Sequence, residues 1–175
     1  MADQGGKSRM PITTGLLVDH ADAASELVGL MEAEWSDWYN PRGASARADL
    51  AERMERNRLP LGLVAFVDGE LAGTCALTAT SGGLTERSPW LGGLLVAPRL
   101  RRHGVGLALL ERARIEARRL GHLRLHALTA EARHLFERAG WQLSENVDLQ
   151  GDPHGIYVTM TQVSVEKRLF GSSPG

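Results

Sequence analysis

The spacing of apolar positions changes along the chain between a period of two and a period of three to four, which predicts an ordered series of strands and helices. Residues 12–18 are β-prone and predict a first strand. Residues 19–39 carry an apolar stripe at helical spacing, and the Asn-Pro-Arg-Gly segment at 40–43 predicts the end of that helix. A second, more polar helix is expected over residues 45–57.

A hairpin is predicted next. Asp68-Gly69 separates two β-prone runs, residues 61–67 and 70–80, and is typical of the two-residue turn of an antiparallel pair. Residues 90–96 predict a further strand, which contains Gly92-Gly93. Glycines inside a strand usually mark a bulge or a close approach to the backbone, so we expect this strand to be irregular.

A long helix follows. From Val105 to Leu120, small and apolar residues recur every three or four positions, and Gly121 is expected to end the helix. The charged positions, Glu116 among them, are expected to face water.

The remaining pattern predicts a strand at 123–128, a short helix at 130–139, and late strands at 141–143 and 156–160 around a Gly/Asp/Pro-rich loop at 150–155. A strand, a glycine turn, a helix and a strand in this order predict one right-handed βαβ crossover in an otherwise antiparallel sheet. The expected fold class is therefore α/β, with a mixed, mostly antiparallel central sheet and flanking helices.

Composition narrows the class of protein. The chain has 175 residues, 43% of them apolar, which suits a single domain with one core. Its formal charge of −1 creates no overall field that would recruit nucleic acid or an acidic membrane. The arginine-rich segment 99–119 is interleaved with glutamates and lacks aromatic residues, which disfavours nucleic-acid binding. We expect neither a nucleic-acid nor a membrane partner.

The expected domain spans residues 10–165, between tails at 1–9 and 166–175 whose composition is typical of loops. No run resembles a signal peptide or approaches the roughly 20 apolar residues of a membrane span, so a cytoplasmic protein is expected. Cys75 is the only cysteine, and His122 and His126 would lie about 13 Å apart on a strand. No disulfide and no metal site is therefore expected.

The turn VAPRLRRHGVGL at residues 96–107 joins the irregular strand to the long helix. A helix N-terminus presents unpaired N–H groups and the positive end of the helix dipole, and small residues let a ligand approach them. We expect phosphates to bind the backbone from Arg102 to Leu107, with basic side chains adding charge. Leu107-Ala108 stands where a Walker A loop needs Lys-Ser/Thr, which disfavours that loop, and Leu109 stands where a dinucleotide fingerprint needs glycine.

Arg101-x-x-Gly104-x-Gly106, preceded by a Leu-Leu-Val-x-Pro run, resembles the acyl-CoA-binding motif of the GNAT N-acetyltransferase superfamily. A second segment, residues 132–141, resembles the "A..LYEKLGF" segment of the same family. Both occur in the family's order and spacing, and the order of strands and helices agrees across roughly residues 12–163. The resemblance implies a single-domain GNAT-like fold and acetyl-CoA as co-substrate.

The resemblance also implies a coenzyme site, with the pantetheine arm along the strand that contains Gly92-Gly93. Its expected residues are Leu94, Leu95, Val96, Arg101, Arg102, His103, Gly104, Val105, Gly106, Leu107 and Phe136. Phe136 stands where the family commonly has a tyrosine that protonates the leaving thiolate, and Thr129 replaces a usual asparagine. Phenylalanine cannot donate a proton, so either another group or water protonates the thiolate, or the thiolate leaves unaided. Phe136 itself packs either on the pantetheine or in the core.

Acetyl transfer to an amine needs an unprotonated nitrogen, and a free primary amine has a pKa near ~10. Glu86, ahead of the irregular strand, and His126, on the strand after the long helix, are the candidate bases; a solvated carboxylate and a sheet histidine are the structural alternatives. Trp35 and Trp38, at the end of the first helix, and Tyr157, on a late strand, would contact the acceptor or else fill the core.

The sequence therefore predicts an enzyme that transfers acetyl from acetyl-CoA to a primary amine of a small molecule, by direct attack in a ternary complex as the resemblance implies. Two alternatives stay open. One is a protein or peptide N-acetyltransferase of the same fold, and the other is a non-catalytic acyl-CoA-binding module, motivated by Phe136. The sequence leaves a homodimer open and does not name the acceptor.

Overall fold

A seven-stranded mixed sheet organises the chain in the computed structural model, which describes residues 10–162. The strands run β1 (Ile12–Leu16), β2 (Leu61–Val67), β3 (Glu70–Thr78), β4 (Trp90–Val96), β5 (Arg124–Thr129), β6 (Gln142–Leu149) and β7 (Asp152–Met160). Their order is β1-β2-β3-β4-β5-β7-β6, and only β4 and β5 are parallel. The predicted fold class and the single βαβ crossover are confirmed. The expected tails and residues 163–165 lie outside the described residues.

Five α-helices accompany the sheet: α1 (Ala24–Glu34), α2 (Ser36–Arg42), α3 (Ala46–Glu52), α4 (Val105–Arg119) and α5 (Arg133–Arg138). Short 3-10 helices cover Leu17–Ala23 and Pro98–Leu100. No helix among residues 10–162 is long and apolar enough to cross a membrane.

Two hydrophobic clusters lie on opposite faces of the sheet. Successive residues of a strand point to opposite faces, and Leu63 packs in one cluster whereas Val64 packs in the other. Leu109 of α4 belongs to the first cluster, and Leu27 and Met31 of α1 belong to the second. We call the two sides the α4 face and the α1 face.

The single helix predicted over residues 19–39 is wrong. Residues 17–23 form a 3-10 helix instead, and Trp35, with φ −117° and ψ 46°, interrupts the α-helix between α1 and α2. The break redirects the chain so that Tyr39 of α2 is buried in the same cluster as Met31 of α1. The second helix also ends earlier than residue 57, because the Arg53 carbonyl accepts a hydrogen bond from the Gly62 N–H at 2.9 Å and turns the chain into β2.

The loop predicted at 150–155 is wrong as well, because β6 and β7 form a hairpin whose turn is only Gln150-Gly151. Both turn residues have positive φ, 57° and 87°, a geometry that matches the twist of the flanking strands. Pro153 is tolerated in β7 because β5 pairs with β7 only as far as Gly155. Beyond that point one edge of β7 needs no N–H donor.

Glu116 does not face water as predicted. It is 3% exposed, and its carboxylate accepts hydrogen bonds from Arg112 at 3.0 Å and from Arg119. Arg112 also donates to the Thr14 carbonyl at 3.1 Å, so the pair ties α4 to β1. A buried carboxylate is stable here because two guanidinium groups compensate its charge.

Candidate active site

The centre of the sheet contains a bulge in β4. Ala76 of β3 pairs with Gly92 and Thr74 pairs with Leu95, so two β4 residues lie opposite one residue of β3. Gly93 has φ +57°, a conformation that favours glycine. The predicted irregularity at Gly92-Gly93 is therefore confirmed.

The bulged strand separates from its parallel neighbour just before this point. β4 and β5 pair only at Trp90 with His126 and at Leu91 with Ala127, although the strands continue to Val96 and Thr129. Beyond Leu91 the β5 side of β4 has no strand partner, which leaves a strand edge available to an extended ligand.

The turn after β4 leads into the start of α4 with two residues in the left-handed region, Arg102 at φ 64° and Gly104 at φ 89°. The first backbone hydrogen bond of the helix joins the Ala108 N–H to the Gly104 carbonyl at 3.0 Å, and no side chain caps the helix. The N–H groups of residues 105–107 therefore have no partner within the helix and point outward at its positive end.

A cavity of about 490 Å³ lies against this helix start. Its lining residues are Val96, Arg101, Arg102, Gly104, Val105, Gly106, Leu107, Leu135 and Arg138. The structure thus brings together most residues of the predicted coenzyme site. A Cβ atom on Gly106 would lie 3.2 Å from Leu135 Cδ2, so the small residue also lets α5 approach α4.

The basic side chains of the turn have different partners. Arg99 forms an ion pair with Glu70, and Arg101 forms one with Glu34. His103 places Nδ1 2.8 Å from the Arg101 carbonyl oxygen. Among residues 10–162, Arg102 forms no ion pair.

Arg138, in the last turn of α5, borders the same cavity and also has no ion pair among the described residues. Sequence reasoning missed it, although it lies within the second family-like segment. Arg102 and Arg138 are therefore the two uncompensated cations beside the helix start.

Five predicted coenzyme residues lie partly or wholly in the core. Val105 is buried in the cluster of the α4 face, and Val96 packs against it. Leu95 is buried in the cluster of the α1 face, and Leu94 packs against that of the α4 face. Phe136 is 3% exposed, with its ring 5.0 Å from Trp141 and stacked at 5.6 Å on Tyr157. Of the two alternatives for Phe136, the structure shows core packing.

Tyr157 is also fully buried, and its O–H donates to Glu137 at 2.9 Å. Burial and this hydrogen bond raise the pKa of the Tyr157 hydroxyl. Its position beneath α5 leaves no exposed surface for an acceptor.

His126 is buried beside Trp90, with the two ring centroids 5.6 Å apart. Its Nδ1 has no hydrogen-bond partner of good geometry among the described residues. Burial lowers the pKa of the imidazole from its ordinary value of 6.5, and the nearby backbone of Pro89 and Arg87 offsets part of that effect. A neutral imidazole with an unused nitrogen is suited to accept a proton. The ring borders a cavity of about 700 Å³ together with Arg87 and Arg124.

Glu86, the other candidate base, is exposed on the loop before β4. Its backbone carbonyl accepts the indole N–H of Trp90 at 3.0 Å, and the residue borders a smaller cavity of about 210 Å³ with Glu145. Arg87 borders this cavity and also that of His126, so the two candidate bases lie on neighbouring cavities.

The helices of the α1 face carry the predicted aromatic contacts. Trp35 is partly buried against the cluster of that face, and Trp38 is 52% exposed. Tyr39 is buried and donates to Asp49 at 2.9 Å; burial and this contact raise the pKa of its hydroxyl to about 12.

Arg53, directly after α3, is a neighbour of the bulge that sequence reasoning missed. Its Nη1 lies 3.1 Å from the position that a Cβ atom on Gly93 would take. Nothing in the local pattern distinguishes Arg53 from the charged residues around it, because its position depends on the fold.

No group of three His, Cys, Asp or Glu side chains within residues 10–162 is arranged to hold a metal ion. Cys75 is buried, and burial raises the pKa of its thiol to about 12, which disfavours the thiolate that a nucleophile needs.

An uncapped helix start behind a glycine turn lies next to a bulged strand that leaves its parallel neighbour. This arrangement is suited to a ligand with phosphates and an extended arm. The model of the Acetyltransferase (GNAT) family matches residues 27–141, more than half of the chain. The chain belongs to the GNAT acetyltransferase family. A search of curated protein sequences found no match.

Solved structures share this fold. An aminoglycoside 6'-N-acetyltransferase complexed with coenzyme A has a TM-score of 0.70 and 14% identity, covering 90% of this chain and 100% of its own. A protein assigned to the GNAT family from Desulfovibrio desulfuricans has a TM-score of 0.65 and 25% identity, covering 87% and 100%. The yncA protein from Salmonella typhimurium, solved with acetyl-CoA, has a TM-score of 0.64 and 19% identity, covering 93% and 100%. The predicted enzyme class and its co-substrate, acetyl-CoA, are confirmed at the level of the family.

Proposed function

We propose that this enzyme transfers the acetyl group of acetyl-CoA to a primary amine of a small molecule, by direct attack of the amine within a ternary complex. The observation that carries the proposal is the uncapped start of α4 behind Gly104, next to a β4 edge that separates from β5 at His126. This arrangement offers a site for phosphates, an edge for an extended arm and a nearby base.

The residues of the turn suit the phosphates of the coenzyme. The N–H groups of residues 105–107 are free to donate to a diphosphate, and Arg102 and Arg138 border the same cavity with uncompensated positive charge. The β4 edge beyond Leu91 suits the amide-containing pantetheine arm. Acetyl-CoA bound in this way supplies the acetyl group as a thioester.

His126 is the proposed base. The ammonium form of the acceptor must lose a proton before its nitrogen attacks, and the buried imidazole favours its neutral form. Glu86 is the second candidate, because it borders the adjoining cavity and is close to Trp90. Phe136 supplies no acid, so the leaving thiolate, with an ordinary pKa near ~8.5, takes its proton from water.

A small-molecule acceptor is supported by three solved structures of the same fold that are described as aminoglycoside 6'-acetyltransferases, at 14%, 17% and 14% identity. Trp35 and Trp38, around the break between α1 and α2, are the proposed aromatic contacts of the acceptor. A protein or peptide amine is the alternative acceptor, and a binding module without catalysis is the alternative class.

Two measurements test the proposal. Calorimetry with CoA is expected to show saturable binding, and thiol release from acetyl-CoA is expected with members of a panel of small primary amines. Release with peptides alone would establish the alternative acceptor. Tight CoA binding without release for any acceptor would establish the binding module.

A further inference from the structure

Among the side chains that the structure describes, those of residues 10–39 and 43–162, two buried nitrogens have no hydrogen-bond partner: Nδ1 of His126 and Nη1 of Arg53. The first is assigned above to proton transfer. The second belongs to the guanidinium group of Arg53, a half-buried residue that stays charged at any physiological pH. A charged N–H group withdrawn from water without a partner is costly.

Both nitrogens lie on the α1 face of the sheet. Leu91 packs in the cluster of the α4 face, so the preceding residue, Trp90, and its parallel register partner His126 point to the α1 face. Arg53 reaches Gly93 from the end of α3, whose Leu50 packs in the cluster of the α1 face. The run from Trp90 to Gly93 that separates them spans about 10 Å.

The charge of Arg53 has no counter-ion among the described residues. The nearby carboxylate of Asp49 accepts the hydroxyl of Tyr39, and Arg53 takes part in no ion pair. The cavity beside His126 adds Arg124 and also Arg87, whose charge is paired with Glu145. No carboxylate is among the described lining residues of that cavity. A polycationic acceptor would bring additional ammonium groups to this face, where they would meet an uncompensated guanidinium.

We propose that Arg53 binds a carboxylate of the acceptor, so that the acceptor is an amino acid or another small amine that carries a carboxylate. This inference rests on the function proposed above. A guanidinium matches a carboxylate with two parallel hydrogen bonds, and Arg53 approaches the bulge from the face opposite α4 rather than along the β4 edge assigned to the pantetheine arm.

Matched pairs of acceptors test the inference. The full-length enzyme is assayed with L-lysine against cadaverine and with L-phenylalanine against phenethylamine, each pair differing by one carboxylate. We expect kcat/KM to be at least about tenfold higher for the acids. Arg53→Gln is expected to remove most of that preference, mainly through KM, while changing kcat/KM for the amines by less than about threefold. Arg53→Lys keeps the charge but loses the planar guanidinium. Its preference for acids over amines should lie between that of the parent enzyme and that of Arg53→Gln.

Arg58→Gln is the matched control, because Arg58 lies five residues further on, is exposed and pairs with Glu55. This control should leave kcat/KM unchanged for both the acids and the amines. Calorimetry with CoA and thermal unfolding accompany each variant, and unchanged CoA affinity in Arg53→Gln separates loss of acceptor binding from misfolding. If Arg53→Gln does not fold, the preference for acids over amines is compared between the parent enzyme and Arg53→Lys.

Three outcomes would overturn the inference. Amines and acids used equally well by the parent enzyme would show no carboxylate recognition. An equal loss of kcat for both classes in Arg53→Gln would assign the guanidinium to the thioester instead. Acetylation of amines but of no acid would refute the inference and leave the proposed function intact, whereas the proposed function itself fails if CoA does not bind.

Discussion

The guanidinium of Arg101 lies 2.9 Å from the carboxylate of Glu34, and its Nε donates to the Val96 carbonyl at 3.2 Å. The first arginine of the family-like motif is therefore held between α1 and the end of β4. Its neighbour Arg102 has no such partner among the described residues. The two adjacent arginines are the same residue type, but the fold gives a carboxylate partner to Arg101 and none to Arg102 among the described residues.

Arg102→Gln is expected to weaken CoA binding by about tenfold, because a charge-assisted contact to phosphate contributes roughly 1.5 kcal/mol. Arg101→Gln should weaken it by less than about threefold, since Glu34 already compensates that charge. Calorimetric titration with CoA measures both. A larger loss for Arg101→Gln would contradict the assignment.

Gly104→Val is expected to weaken CoA binding by at least about 100-fold, because the branched side chain disfavours φ 89° and obstructs the free N–H groups. Gly121→Val is the matched control. Gly121 follows the other end of α4, also has φ +89°, and would place its Cβ in open space. Equal losses of CoA affinity in the two variants would show that backbone strain alone, and not the helix start, is responsible.

His126→Gln is expected to lower kcat by about 100-fold, the lower range for loss of a general base, and Glu86→Gln by less than about threefold. Steady-state kinetics with the best amine of the panel measures both. The opposite order would assign the base to Glu86. Unchanged rates in both variants would leave deprotonation to solvent.

The stability of the protein should depend on pH through His126. Its pKa is lowered from 6.5 in the folded state, so between the two values the unfolded chain binds more protons. The contribution is therefore complete above about pH 6.5 and is lost as pH falls through that range. Urea unfolding between pH 5 and pH 7.5 should show the parent protein losing stability relative to His126→Gln as the pH falls. A difference that grows in the other direction would contradict the burial of a neutral ring.

Glu116→Gln is expected to destabilise the fold by about 3 kcal/mol, because it leaves Arg112 and Arg119 beside a buried neutral amide. Glu111→Gln, on the same helix, removes an exposed pair with Arg114 and should cost less than about 0.5 kcal/mol. Chemical denaturation measures the free energy of unfolding of both variants. Equal costs would show that burial of Glu116 does not matter.

Local signals predicted most of the sheet and the coenzyme side of the site. Three of these signals depend on backbone conformations that few residue types adopt: the Asp68-Gly69 turn, the glycine pair in β4 and the glycine turn before α4. The residues at these positions therefore indicate the conformation directly. The Gln150-Gly151 turn was missed because Pro153 and Gly155 resemble loop residues, and only the absence of a β5 partner at that point makes Pro153 acceptable in β7.

The acceptor side was much less predictable. The helix break at Trp35, the burial of Glu116 and the approach of Arg53 to Gly93 each depend on contacts between segments distant in sequence. Periodicity treats Glu116 and Arg53 as solvated charges, because it contains no information about which partners the fold supplies. The contact that we propose between Arg53 and the acceptor depends on the same kind of long-range contact.

The two register pairs between β4 and β5 are the narrowest junction in the sheet. Native-state amide exchange should therefore differ along the sheet. Amides in the interior of β2 and β3 should exchange only through global unfolding, whereas amides beside the β4–β5 pairing should exchange through local opening of lower free energy. Helix α4 packs across β1 to β5. A coenzyme bound at the first turn of α4 would therefore link the parts of the sheet on either side of the β4–β5 pairing. Coenzyme binding would then stabilise both halves of the sheet, and amide exchange would slow at residues that the coenzyme does not contact.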